Sequence, residues 1–361
     1  MNSYKSIHDI LKIKSPQYKT FLIAGPCSVE SEEQIMQTAF KLSKYEVNVL
    51  RGGIWKPRTR PSSFQGMGIQ ALPWLKNAGK EANIPVCVEV AKPDHVEQSL
   101  KYDIDILWIG ARTTTNPFSV QTLVDCLKGI DKPIMIKNPI SPDIQLWLGA
   151  FDRFHNAGIE RLIAIHRGFY SHMKTVFRNE PCWRIPIELK RTLIDVPLLC
   201  DASHICGNRE WLHTISQKAM DLLFDGLMIE VHTNPNEAWS DSKQQIVPDD
   251  YKKLVDNLKI KKPYSDNTDF FKRLREYRSE MDDVDNQLIE LLSERMNLSR
   301  QIGSYKKRAG VSKYQPDRWN EIIRSRTQTG KSKNLSEDFI FRIYQLIHEE
   351  SLRQQEPEGS E

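Results

Sequence analysis

The sequence predicts an α/β protein, a (β/α)8 or TIM-type barrel, followed by an all-helical unit. Three observations carry that expectation. Eight short apolar runs, rich in β-branched residues, alternate with amphipathic stretches over the first two thirds of the chain. Each run ends in polar or charged residues at its C-terminal end, where a barrel of this class builds its site. After about residue 255 the pattern changes to long proline-free segments with helical periodicity.

The runs are FLIAGPC (21–27), VNVLRGG (47–53), IPVCVEV (84–90), ILWIGAR (106–112), PIMIKNP (133–139), RLIAIHRG (161–168), VPLLCDASH (196–204) and GLMIEVH (226–232). Eight βα units in about 240 residues match the size of a closed barrel. A doubly wound sheet is the competing architecture, but it would carry a GxGxxG turn after its first strand, and GPCSVES is not one. Residues 1–258 are assigned to the barrel, 259–269 to a polar linker with Pro263, and 270–361 to the helical unit.

Composition narrows the function classes. A net charge of +4 over 361 residues is too small to imply a nucleic-acid partner. No apolar run approaches the roughly 20 residues needed to cross a bilayer, and the N-terminal stretch has no signal-peptide core. The six cysteines form no CxxC pair, which suggests reduced thiols and a cytoplasmic location.

Read in order, the strand ends carry Cys27, Arg51, Glu89, Arg112, Lys137, His166 with Arg167, Asp201 with His204, and Glu230. Any one of them reads as a solvated strand terminus, but ring closure would gather all of them at one mouth. Two chemistries separate there. Arg51, Lys56, Arg58, Arg112, Lys137 and Arg167 supply cations suited to phosphate and carboxylate groups. Cys27, His204, Glu230 and Asp241 make a mixed soft and hard donor set suited to a divalent transition metal, Mn2+, Fe2+, Co2+ or Zn2+. Singly, Cys27 reads as a core thiol and His204 as a core histidine. The stretch RGGIWKPRTRPSSFQG (51–66) reads as a stiff cationic wall that would hold anions together.

GPCSVES, KPRTRPSSFQG, IGART, IKNP, HRGF, ELKR, DASH and IEVHTNPNEAWSD resemble, in order and spacing, the 3-deoxy-D-arabino-heptulosonate 7-phosphate (DAHP) synthases. The likeness runs over roughly residues 15–260 and is to their compact type I beta subgroup, which itself resembles the 3-deoxy-octulosonate 8-phosphate synthases. It implies condensation of phosphoenolpyruvate with erythrose 4-phosphate at a divalent metal, the first step of the shikimate pathway. By motif it makes Cys27, His204, Glu230 and Asp241 the metal ligands. Arg51, Lys56, Arg112, Lys137 and Arg167 become the phosphoenolpyruvate clamp, and Arg58 with Thr59 the grip on the aldose phosphate. KPRT in place of a K-A-N-R-type segment favours the four-carbon aldose. Lys56, His166 and Glu89 are candidates for the proton transfers. Ala202 stands where the family has proline.

In the second unit, Leu274, Met281, Leu288 and Ile302 repeat at seven or fourteen residues, beside Val284, Leu291, Leu298 and Tyr305. That predicts one helix from Phe270 to about Arg308, with further helices at about 316–329 and 336–354 started by Gln315-Pro316-Asp317 and Ser336-Glu337-Asp338. A helix near 58 Å long, at 1.5 Å per residue, is too long to fold back on so thin a bundle, so at least a homodimer is expected. Arg295 interrupts the apolar row, and Lys306, eleven residues on, returns to nearly the same face. Two inward cations ask for an anion.

LREYRSEMDDVDNQLIELLSERMNLSRQIGSYK, then Arg318, then IYQLIHEESLRQQ resemble the all-helical chorismate mutases over roughly 270–355. The resemblance implies binding of chorismate and prephenate by Arg278, Arg295, Lys306, Arg318, Ser351 and Gln355, with Arg278 reaching the partner chain's site. Arg295, Lys306 and Gln355 would be the catalytic set, the last two stabilising charge on the ether oxygen. Two family acids are Gln315 and Trp319 here. The expected protein is therefore a bifunctional enzyme with prephenate feedback through the helical domain. The alternatives are a synthase whose helical domain only senses a ligand and dimerises, and a barrel that binds sugar phosphates without catalysis.

Overall fold

The computed structural model describes residues 7–11, 20–57, 62–172, 175–261 and 268–355. The chain divides into two compact units, Met1–Pro263 and Tyr264–Glu361. Among the described residues no helix is long and apolar enough to cross a membrane.

The first unit is the predicted barrel. Its strands are β1 (Phe21–Gly25), β2 (Val49–Arg51), β3 (Val86–Val90), β4 (Ile106–Ile109), β5 (Ile134–Lys137), β6 (Leu162–His166), β7 (Leu198–Asp201) and β8 (Gly226–Glu230). They close in sequence order, all parallel, with β8 returning to β1 in the register Phe21↔Gly226 to Gly25↔Glu230. Each strand falls inside one of the eight apolar runs, because a strand covered on both faces is apolar on both sides until its C-terminal end.

Two apolar layers show which way each side chain points. Phe21, Ile23, Val49, Cys87, Ile106, Trp108, Met135, Ile163, Ile165, Leu199 and Met228 fill the barrel interior. Ile7, Ile10 and Leu11 of the short helix Ile7–Leu11 belong to the same cluster, and Arg161 Nε donates to the Ile10 carbonyl at 2.6 Å. The alternate residues, such as Leu22, Leu50, Val88, Leu107, Ile136, Ala164, Cys200 and Ile229, pack against the surrounding helices. This period of two carries Arg51, Glu89, Lys137, Asp201 and Glu230 inward at the strand ends.

The second unit holds three helices, Thr268–Arg308, Pro316–Ser332 and Glu337–Arg353. The first, 41 residues long, runs through Gly303, where a glycine is needed because a Cβ would press on Gln355. Ser336 caps the third helix by accepting from Phe339 N. Met281, Val284, Leu288, Leu291, Leu298 and Ile302 of the predicted seam lie more than half exposed on the single chain.

Candidate active site and metal centre

In five of the eight strands, β2, β3, β5, β7 and β8, the last inward residue is charged, and these residues build the mouth. Arg51 Nη2 lies 3.0 Å from Glu230 Oε1, and Lys137 Nζ donates to Asp201 Oδ2 at 2.6 Å; all four side chains are sealed from solvent. Trp108, the inward residue of β4, places its ring centroid 5.2 Å from the Arg51 guanidinium and 5.5 Å from Lys137 Nζ. The indole Nε1 donates to Glu89 Oε2 at 3.1 Å. Gly110 follows β4 because a Cβ there would overlap the Glu89 carboxylate.

Arg51 matters most for what it leaves open. Its Nε and Nη1 are buried and have no hydrogen-bond partner among the described residues. Buried guanidinium donors left unpaired are costly, so a fork in this state is prepared for an anion. Arg167 is also inward, with its backbone N–H donating to Asn138 Oδ1 at 2.7 Å and its Nη1 to Asn179 Oδ1 at 2.8 Å. Burial, with Arg178 and Arg112 nearby, pulls Arg167 down to about 10. Arg112 sits in the short helix Ala111–Thr114 directly after β4.

Three of the four expected metal ligands converge. Ligand atoms of Cys27, Glu230 and Asp241 all lie within 4.8 Å of one another. Cys27 Sγ is 3.4 Å from Asp241 Oδ2, and Lys56 Nζ reaches the same sulfur at 3.0 Å. Gly53 allows that approach, since a Cβ there would overlap both the Cys27 carbonyl and the end of the Lys56 side chain. Burial, with Glu230 next, pushes the Cys27 thiol up to about 12. Burial alone would raise the Glu230 carboxyl, but the neighbouring His204 and Arg51 hold it below its ordinary value.

His204 stands apart from that trio. Its Nδ1 is 3.0 Å from Asp201 Oδ2 and 3.7 Å from Glu230 Oε1. Asp201 therefore orients the imidazole and also caps the helix Ala202–Cys206 by accepting from His204 N. Ala202 is the first residue of that helix, where the family's proline is favoured only for its fixed backbone, so the turn survives the substitution. The donor set fits a divalent metal. Glu230 Oε1 is buried with no hydrogen bond, its 3.0 Å approach to Arg51 being an ion pair without hydrogen-bond geometry. A thiol, two carboxylates and an oriented imidazole suit a borderline-soft ion.

One expectation is corrected. On β6, Ile163 and Ile165 face the barrel interior, so His166 faces the helices with Ala164. Its ring lies 5.4 Å from that of Trp183, 5.6 Å from Phe169 and 6.2 Å from Phe224. Burial drives it down to about 3, and both ring nitrogens are buried with no hydrogen-bond partner among the described residues; the strand's parity, not its titration, turns it away from the mouth. Arg58 and Thr59 lie outside the described residues.

Residues that sequence reasoning missed complete the network. Arg178 Nη1 pairs with Asp241 Oδ1 at 3.1 Å and donates to Gln244 Oε1 at 2.8 Å, while Gln244 Nε2 donates to Glu230 Oε2 at 2.7 Å. Gln245 Oε1 accepts from Cys27 N at 2.9 Å. The glutamines sit three and four residues after Asp241, a spacing that marks them as loop supports only once the loop's path is known.

In the helical unit, Arg295 Nη1 donates to Ser351 Oγ, which in turn donates to the Ile347 carbonyl at 2.6 Å. Lys306 Nζ donates to the Lys313 carbonyl at 2.7 Å. Gln355 is shielded against Gly303. Arg318 is exposed and pairs with Glu321 at 2.6 Å. Arg278 is exposed on the long helix. Trp319 stacks on His348, centroids 4.3 Å apart.

This fold and mouth define a (β/α)8-barrel enzyme with a cationic, metal-compatible pocket, joined to a helical unit with its own cation cluster. Residues 10–265 match the model of the DAHP synthetase I family and residues 277–356 that of chorismate mutase type II. The chain belongs to the DAHP synthetase I family and carries a chorismate mutase type II domain, which makes it a bifunctional shikimate-pathway enzyme. A phospho-2-dehydro-3-deoxyheptonate aldolase of Thermotoga maritima is 34% identical over 238 residues, 66% of this chain and 68% of that protein. A 2-dehydro-3-deoxyphosphooctonate aldolase of Francisella tularensis subsp. holarctica is 28% identical over 251 residues, 61% and 83% respectively. The crystal structure of phospho-2-dehydro-3-deoxyheptonate aldolase (DAHP synthase) from Thermotoga maritima superposes with a TM-score of 0.59 at 33% identity, covering 66% of this chain and 67% of that one. A truncated form of 3-deoxy-D-arabino-heptulosonate 7-phosphate synthase from Thermotoga maritima gives 0.57 at 30% identity, covering 66% and 84%.

Proposed function

We propose that residues 1–258 condense phosphoenolpyruvate with erythrose 4-phosphate to DAHP and phosphate, and that residues 270–361 rearrange chorismate to prephenate, in the cytoplasm. The observation that carries the first reading is the buried Arg51 fork with two unpaired donors beside Lys137 and Arg167. Arg51, Lys137 and Arg167 would grip the phosphate and carboxylate of phosphoenolpyruvate, with Lys56 beside Cys27, the exposed Arg112 at the rim, and Arg58 and Thr59 on the aldose phosphate. Holding two anions that otherwise repel is itself catalytic, because it sets C3 of one against the aldehyde carbon of the other.

Cys27, His204, Glu230 and Asp241 would hold a divalent metal, whose contribution when bound is Lewis-acid polarisation of a carbonyl oxygen. Attack by C3 forms the carbon–carbon bond, water then adds at C2, and the C2–O bond to phosphate breaks. Lys56 and Glu89 remain as proton carriers for those steps. A chelator should abolish the condensation and leave the mutase intact, and loss of both or neither would refute this division of labour.

In the second unit Arg295, Arg318 and the partner chain's copy of Arg278 would hold the two carboxylates of chorismate in its folded conformer. Lys306 and Gln355 would meet the charge growing on the ether oxygen, and Ser351 would hold Arg295. The exposed seam of the long helix supports a homodimer through this unit. Prephenate would inhibit the synthase by binding here, with two arrangements of differing affinity. The Trp319–His348 stack favours a second reading, in which the helical unit is a weakly catalytic or non-catalytic sensor and dimerisation module.

A further inference from the structure

The helices of the second unit are largely exposed, yet Trp319 and His348 on two of them are half-buried against each other. Trp319 and His348 stack with ring planes 24° apart, and the Tyr314 ring lies 5.9 Å from the same imidazole. Nε2 of His348 is buried and has no hydrogen-bond partner among the described residues, and Oε1 of Gln355 is in the same state. Burial and the nearby charges of Arg295 and Lys306 hold the His348 imidazole below its ordinary value, with Glu349 opposing them.

Stacking fixes the plane of the imidazole but leaves Nε2 unsatisfied. An unpaired buried polar atom costs enough that native structures avoid it unless something occupies the site. The neighbouring cations claim anionic groups, which leaves the imidazole for a neutral polar one. A hydroxyl satisfies an uncharged imidazole in either tautomer, because it both donates and accepts.

We propose that His348, held in plane by Trp319, determines specificity at the mutase site by hydrogen-bonding through Nε2 to a ring hydroxyl of the dicarboxylate substrate. The inference rests on the reading of the second unit as a chorismate mutase. It gives Trp319 a role in place of the missing acid: the ring on one helix positions a hydrogen-bonding group on the next.

The test is calorimetric binding to the full chain of two rigid oxabicyclic dicarboxylates that mimic folded chorismate and differ only in a ring hydroxyl. The wild-type chain should prefer the hydroxylated compound by about tenfold, one net hydrogen bond. His348→Leu should erase the preference by weakening that compound alone, His348→Asn should restore part of it, and Trp319→Leu should give an intermediate preference. A preference unchanged in His348→Leu, or an equal loss for both compounds, overturns the proposal. If the wild-type chain binds neither, the mutase reading itself fails and takes this inference with it.

Discussion

Arg51 and Glu230 form an ion pair at 3.0 Å that is closed to solvent on both sides, and the arginine still has two donors to spare. Glu230 thereby stands between a guanidinium and the proposed metal site. Removing one partner of such a pair strands the other charge in a low-dielectric interior. Arg51→Met should lower the stability of the barrel by about 3–5 kcal/mol, read from urea unfolding. Arg51→Lys keeps the charge without the fork, so it should fold and raise KM for phosphoenolpyruvate by about tenfold or more. An unchanged KM in the lysine variant would contradict the clamp.

Cys27→Ser tests the metal set. The serine keeps size and hydrogen bonding but loses the soft donor, so affinity for Zn2+ or Co2+ should fall by about tenfold or more. Direct metal titration of the full chain reads this without an assay of turnover. Equal affinity in both proteins would remove Cys27 from the site.

His166 supplies the pH prediction. Its folded value near 3 lies below the unfolded value of about 6.5. The unfolded chain therefore binds the extra proton first as pH falls. Stability from this residue is complete above about pH 6.5, declines on acidification and levels off near pH 3, a loss of about 3 kcal/mol between pH 7 and pH 4. His166→Leu should be less acid-sensitive by that amount over the same interval. Condensation rate at pH 7 should stay within a few fold, since the ring faces the helices. A collapse of kcat in a well-folded variant would return His166 to the chemistry.

The two readings of the helical unit part at Trp319. If the stack has replaced catalysis by sensing, Trp319→Glu should raise mutase turnover many-fold. If both activities are native, the substitution should lower it by removing the ring that holds His348. Prephenate inhibition of the full chain, absent from a chain ending at Lys261, would place the sensor in the second unit.

The strands were legible because a two-sided burial makes each one a continuous apolar run. The same uniformity hid their parity: RLIAIHRG does not say whether His166 or Arg167 faces inward, and the barrel lets only one of two neighbours do so. Trp108 reads in sequence as one more member of an apolar run, although it lies against both Arg51 and Lys137. Asp201 was visible as a strand end, but its simultaneous hold on Lys137 and His204 exists only after β5 and β7 are brought together. The long helix was readable from its seven-residue rows, and its length already asked for a partner, whereas the contacts that would cover those rows cannot be read from one chain.

The measurement that bears most directly on the central claim is phosphate release from phosphoenolpyruvate by the metal-loaded chain, offered erythrose 4-phosphate or arabinose 5-phosphate. The account predicts release with the four-carbon aldose and little with the five-carbon one. Preference for arabinose 5-phosphate, or release with neither, would contradict it.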